Sequence, residues 1–285
     1  MLLMSQIWLR LNRGEVMSEC THDCSTCASA GSCDHKIEKA KLNDRSHIKK
    51  IVGVLSGKGG VGKSFVTSLL AAQLARDGFK VGVLDADITG PSIPKAFGVK
   101  GPAEGEDGLI YPIESKTGIK IMSANLLLEH EDDPIIWRGP LLGNLVKQFY
   151  EDVLWEELDY LLIDMPPGTG DVALAVFQLL PIDELVIITS PQDLVSLIVS
   201  KALKMAEMMN INVLGVVENM SYVSCPNCEE KIKIYGESNI HEFAKQMNFE
   251  VLGQLPIIPG NSSKVDQGKV ETIYLKEIEE IAKKL

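Results

Sequence analysis

Residues 51–64, Ile-Val-Gly-Val-Leu-Ser-Gly-Lys-Gly-Gly-Val-Gly-Lys-Ser, leave the chain few folds to choose from. The β-branched run from Ile51 to Leu55 reads as a buried strand. It breaks into a glycine-rich loop, and Lys63 and Ser64 then open a helical pattern that reaches about Asp77. Strand, loop and helix in that order, with the spacing G-x-x-x-x-G-K-S, form a phosphate-binding loop. The loop Gly57, Lys58, Gly59, Gly60, Val61, Gly62 can turn its backbone N–H groups inward around phosphate oxygens, and the helix N-terminus adds partial positive charge. Lys63 is expected to reach the β- and γ-phosphates, and the Ser64 hydroxyl to ligate Mg2+. A second lysine, Lys58, follows the first glycine directly, where an ordinary loop of this kind needs none. The plainer readings are a glycine turn that binds nothing and a solvated Lys58.

Downstream, apolar strand candidates at 51–55, 81–84, 160–163, 185–189, 212–217 and 250–254 alternate with helical patterns near 64–77, 138–152, 170–180, 193–209 and 238–247. That alternation predicts an α/β fold of the P-loop NTPase kind, a mostly parallel sheet with helices on both faces. Ligands are then expected at the carboxyl ends of the strands. Residues 101–118 read as a surface hairpin around Leu109-Ile110-Tyr111. Residues 271–285 read as a helix with Tyr274, Ile278, Ile281 and Leu285 on one stripe, whose mixed charges favour core packing over a membrane surface. The net charge of −11 argues against a general nucleic-acid binder. No apolar run reaches the ~18 residues of a membrane span, and no secretory signal is visible. A cytoplasmic protein, with no nucleic-acid or membrane partner, is expected.

The 285 residues suit one large domain plus an appendage. Residues 1–16 read as a non-native or disordered leader, with Met17 as the expected start of translation. Residues 17–47 form a cysteine-rich segment and linker, and 48–285 the P-loop domain. Cys20, Cys24, Cys27 and Cys33 are spaced C-x3-C-x2-C-x5-C among small polar residues that cannot build a core. Outside an oxidising compartment such a cluster reads as metal ligands rather than disulfides. Four thiolates suit zinc or an iron–sulfur cluster, with His22 and His35 as possible substitutes.

Three further stretches carry chemistry. The second strand ends in Val83-Leu84-Asp85-Ala86-Asp87, and carboxylates beside a phosphate loop can hold Mg2+ and position an attacking water. The strand Tyr160 to Ile163 closes on Asp164-Met165-Pro166-Pro167-Gly168-Thr169-Gly170-Asp171. Asp164 there supports Mg2+, Gly168 offers its N–H to a γ-phosphate, and Asp171 caps the next helix. Cys225-Pro226-Asn227-Cys228 lies in a hairpin between Tyr222-Val223 and Lys231-Ile232-Lys233-Ile234-Tyr235. It could hold a cluster, act as a redox dithiol, or supply half a zinc site.

The loop G-K-G-G-V-G-K-S resembles the deviant phosphate loop of the MinD, ParA and nitrogenase-iron-protein ATPases. That resemblance implies an ATP-dependent homodimer in which Lys58 reaches the partner's nucleotide, Asp85 lies near the metal, and Asp87 positions water. It also implies that Asn219, in Glu218-Asn219-Met220-Ser221, reads adenine, with Asp266 as a second contact. D-A-D-I-T-G-P-S-I-P, D-M-P-P-G-T-G-D, T-S-P-Q-D-L, E-N-M-S and C-P-N-C, in this order, are similar to the Mrp/ApbC family of iron–sulfur cluster carriers over about residues 48–285. The family implies a slow ATPase that gates transfer of a 4Fe–4S cluster to apo iron–sulfur proteins. It places the cluster on Cys225 and Cys228 of two chains, since one C-x-x-C supplies two thiolates and a cluster usually needs four. Cys24, Cys27 and Cys33 match the extended members' N-terminal cluster; Cys20 sits nearer than their first cysteine, so the fourth ligand stays open. A MinD/ParA-like positioning ATPase leaves Cys225 and Cys228 unexplained, and a zinc-stabilised nucleotide switch is the other alternative. A reductase like the nitrogenase iron protein would need a cysteine between Cys33 and Cys225, and there is none.

Overall fold

The structure, a computed structural model, describes residues 38–88, 90–128, 139–191, 195–225, 227–228 and 230–285. The leader, Met17, the candidate ligands Cys20, Cys24, Cys27 and Cys33, and both substitute histidines lie outside the described residues.

The strands are β1 (His47–Ser56), β2 (Val81–Asp85), β3 (Gly105–Glu106), β4 (Leu109–Ile110), β5 (Ile113–Glu114), β6 (Lys120–Ser123), β7 (Glu157–Asp164), β8 (Glu184–Thr189), β9 (Asn212–Ser224), β10 (Lys231–Ile232) and β11 (Val251–Pro256). Nine of them form one sheet, in the order β10-β9-β8-β1-β7-β2-β6-β5 with β11 on β9. Only β5 and β10 pair antiparallel within it. The helices are α1 (Lys63–Arg76), α2 (Ile93–Phe97), α3 (Gly139–Glu151), α4 (Asp171–Leu179), α5 (Val195–Met208), α6 (Ile240–Met247), α7 (Asn261–Asp266) and α8 (Lys276–Ala282).

Central position explains composition. β1 runs between β7 and β8 and is buried along its last six residues, as an unbroken apolar run requires. α1 lies in the core and buries Val66, Leu69, Leu70, Ala71 and Leu74, so it shows almost no polar face. Because β1, β2 and β7 are parallel and in register, Val54, Asp85 and Asp164 arrive side by side at one end of the sheet. This brings the phosphate loop and both strand-end acids into one crevice.

Four expectations need correction. The stretch 120–123 is a strand, β6, in the main sheet; at four residues it is too short to show a period. β9 continues past Val217 to Ser224, passing through Met220 at φ 61°. The C-terminal helix is confined to α8; Ile278, Ile281 and Leu285 are buried, but Tyr274 precedes the helix and is 57% exposed. Asp171 does not cap α4: Gly170 holds the cap position and Asp171 opens the first turn, where its charge can act on the helix dipole. The hairpin expected over 101–118 is present as β3 and β4.

The charged linker is packed against the domain. Lys39 Nζ donates to the Phe177 and Leu180 carbonyls at 2.6 and 2.9 Å, satisfying the C-terminal end of α4. The Ala40 N–H donates to Leu179 O, and Asn43 Nδ2 holds the carbonyls of Glu151 and Val153.

Candidate nucleotide and thiol site

The phosphate loop closes with Gly62 in the left-handed region at φ 82°, immediately before α1. A Cβ there would lie 2.3 Å from Asn219 Nδ2, so glycine is required by both backbone and neighbour. Beside the loop is a cleft of about 200 Å3, lined by Gly59, Gly60, Lys63, Ser64, Asp87 and Pro167 among others. Lys58 is half-buried, and Ser56 Oγ donates to its carbonyl at 3.0 Å. The Gly168 N–H, at φ 86°, donates to Ser56 O at 2.7 Å.

Asp164 organises the charges. It is fully buried and accepts Lys63 Nζ at 2.7 Å and Ser64 Oγ at 2.5 Å on one oxygen, and Thr67 Oγ1 at 2.8 Å on the other. Lys63 Nζ also lies 3.8 Å from Asp87. Thr67 was not among the residues read from sequence. Its signal was its place one helical turn after Lys63, which puts both on one face of α1.

Asp85 is wholly buried next to Asp164. It accepts the Asp87 and Ile93 N–H groups and the Ser123 hydroxyl at 3.2–3.3 Å. Burial, and then repulsion from Asp164, push its carboxyl up to about 8, against the opposing pull of Lys63 and the Ile93 N–H. The folded protein therefore keeps a proton here that the unfolded chain, near 3.8, gives up. Its contribution to stability falls as pH rises from about 4 to about 8. Asparagine imitates the protonated acid. Asp85→Asn, free of nucleotide and metal, is expected to melt slightly higher than wild type at pH 5 and by a clearly wider margin at pH 8. Equal melting at pH 8 would contradict the burial account.

The fit to a magnesium nucleotide is good on the donor set. The loop has bare glycines at the cleft, a buried lysine, and a hydroxyl already turned onto a carboxylate. No group of three metal-ligating side chains exists among the described residues. That suits Mg2+, which keeps several waters and arrives with phosphate oxygens rather than waiting in a protein cage.

Asn219 is buried, and its Nδ2 donates to the Val61 carbonyl at 2.9 Å, so its amide rests on the phosphate loop. Asp266, at the end of α7, lies 3.4 Å from Lys95. Cys225 and Cys228 are free thiols in the tight turn joining β9 and β10, and Cys228 is exposed. The Cys225 N–H donates to Glu230 O, closing the hairpin as expected. The Cys225 thiol is held below the usual range by the N–H groups of Asn227 and Cys228 and by the Cys228 side chain. Backbone N–H groups aimed at sulfur favour thiolate, the form that binds metal. The site thus brings Lys63, Ser64, Asp85, Asp87 and Asp164 together, with Asn219 on the loop and the two cysteines six and nine residues onward in the chain.

Known proteins are similar to this chain in sequence and fold. A solved nucleotide-binding protein of Archaeoglobus fulgidus in complex with ADP is 42% identical, with a TM-score of 0.73 over 81% of this chain and 91% of that one. The cell division ATPase MinD of Pyrococcus furiosus shares the fold, at a TM-score of 0.60 and 20% identity over 83% of this chain and 98% of that one. A Clostridium perfringens protein named iron-sulfur cluster carrier protein is 47% identical over 87% of this chain and 90% of its own length. A Methanocaldococcus jannaschii protein of the same name is 48% identical over 85% and 86%. None of the helices among the described residues is long and apolar enough to cross a membrane. The profile of the NUBPL iron-transfer P-loop NTPases, of the ParA group, matches residues 47–285, which hold the loop, both acid-bearing strands and the cysteine hairpin, and the chain belongs to that family.

Proposed function

We propose that this protein is an ATP-hydrolysing carrier that binds a 4Fe–4S cluster and delivers it to apo iron–sulfur proteins. The observation that carries the reading is the pair Cys225 and Cys228, two thiols at an exposed turn directly after the strand whose Asn219 touches the phosphate loop. Two relatives at 47% and 48% identity bear the carrier name. In this reading two chains form a homodimer and each gives two thiolates to one shared cluster. Lys63 and the Gly57–Gly62 N–H groups stabilise phosphate charge, and Lys58 reaches the partner's nucleotide. Ser64, Asp85 and Asp164 serve Mg2+, which neutralises phosphate charge when bound, and Asp87 orients the attacking water. Asn219 exchanges the Val61 carbonyl for the base. Hydrolysis is slow and gates the carrier's conformation, and the protein works in the cytoplasm. Cys20, Cys24, Cys27 and Cys33 supply a second site, for iron–sulfur or zinc, on the segment 17–47.

Transfer tests this. Protein loaded anaerobically with iron and sulfide should restore an apo ferredoxin, and Cys225→Ala/Cys228→Ala should not. Equal rescue by the variant would remove the hairpin from the carrier role.

A further inference from the structure

The site described so far makes no use of Glu218. Its carboxylate is 2% exposed, and no lysine or arginine pairs with it among the described residues. Three neutral donors hold it instead. Ser221 Oγ and Gln254 Nε2 donate to one oxygen at 2.7 and 2.6 Å, and Ser238 Oγ donates to the other. A buried carboxylate held this way is stable only while its donors keep their places.

The donors come from three different parts of the chain. Gln254 lies on β11, level with Glu218. Ser221 stands where the chain leaves for the cysteine turn, four residues before Cys225. Ser238 stands where the chain returns, and it also accepts the Ile240 N–H that opens α6. Both ends of the excursion that carries Cys225 and Cys228 are therefore tied to one carboxylate. The next residue, Asn219, is the one that rests on the phosphate loop, and a Cβ on Gly62 would strike it. Met220, between Asn219 and Ser221, is left-handed at φ 61°, and Ser221 Oγ shares its one proton between the Glu218 carboxylate and the Glu218 carbonyl, 2.8 Å away. A shift of Asn219 cannot be absorbed by a relaxed strand here, because its neighbours on both sides are pinned.

We infer that Glu218 is a positioning residue that makes the setting of the cysteine turn follow the state of the phosphate loop. Nucleotide that displaces the Asn219 amide moves the Glu218 carboxylate, and the two serines carry that movement to the roots of the turn. The biological use of such a link rests on the carrier reading. Its test reads thiols rather than iron, so the two ideas fail separately.

The experiment is alkylation of the metal-free, reduced full-length protein with iodoacetamide. Rates at Cys225 and Cys228 are resolved by peptide mass spectrometry, with and without saturating Mg-ADP. Coupling between sites of this kind commonly changes a property by about 5-fold or more, and wild type is expected to show a change of that order. Glutamine offers one accepting oxygen where glutamate offers two. Glu218→Gln should therefore keep ADP affinity within about 3-fold while its rate ratio falls below about 2-fold. Ser238→Ala cuts only the returning tie, should give an intermediate ratio, and carries the test should Glu218→Gln fail to fold. A variant that is merely destabilised, with the link intact, would alkylate faster in both states and leave the ratio alone. Unchanged ratios in both variants, or no ADP effect in wild type, would overturn the inference.

Discussion

Lys63→Ala is expected to lower nucleotide hydrolysis by about 10²–10³-fold, the usual cost of losing one positioned group that meets transition-state charge. The structure adds a second consequence. Lys63 is 6% exposed and is the cation that faces Asp164 at 2.7 Å, with the buried Asp85 alongside. Removing one partner of a buried pair typically costs about 3–5 kcal/mol, because the other charge stays buried alone. Lys63 also holds the Asp85 carboxyl down, so without it that carboxyl climbs further. The loss of stability should therefore be larger at pH 8 than at pH 5, where Asp85 is protonated in either protein. Thermal melting of the nucleotide-free variant at the two pH values checks this. A variant that is inactive yet melts like wild type at pH 8 would show that Lys63 serves the nucleotide alone.

Gly268→Ala should be the most damaging small substitution away from the cleft. A Cβ at Gly268 would lie 2.3 Å from Gly98 Cα and 2.7 Å from Gly98 N, and the residue is left-handed at φ 67°. Gly98 ends α2, whose first N–H holds Asp85, and Gly268 follows α7. Neither backbone can yield without moving its helix. Left-handed alanine costs about 1–2 kcal/mol, and overpacking adds about 1–3 kcal/mol. For a chain of this size the sum corresponds to a melting temperature lower by roughly 3–8 °C. Gly260→Ala is the control: φ is 88° but nothing lies within 4 Å of the added carbon, so only the backbone cost remains. Equal losses at the two positions would remove the contact from the explanation.

What was legible in the sequence was whatever is local. Residues 51–64 declare strand, loop and helix at once; α1 begins and ends within a residue of the pattern, and β1 ends where expected but starts four residues earlier, at His47, where exposed charged residues hide it. Asp85 and Asp164 could be read because each closes an apolar strand. The hairpin around the cysteines could be read because apolar residues flank it on both sides. Contacts between segments distant in sequence were hidden. The helical spacing puts Thr67 on the Lys63 face, but nothing near it says that its hydroxyl will meet Asp164 97 residues later. Nothing near Glu218 says that Ser238 and Gln254 will share its carboxylate. Short elements were hidden too: β6 and α2 span four and five residues, less than two turns of any helical pattern. The 2.3 Å meeting of Gly98 and Gly268 is set by tertiary packing, and in sequence both are ordinary turn glycines.

The carrier role rests on the thiols of Cys225 and Cys228, and the most direct measurement is a count. Wild type and Cys225→Ala/Cys228→Ala are reconstituted anaerobically with iron and sulfide, and both elements are quantified per chain with the absorption band near roughly 400 nm. If the cysteine turns of two chains hold one cluster, the variant should contain about four iron and four sulfide fewer per two chains than wild type. Any cluster left in it would belong to the N-terminal cysteines. Wild type that takes up no cluster, or a variant that takes up as much as wild type, would contradict the account.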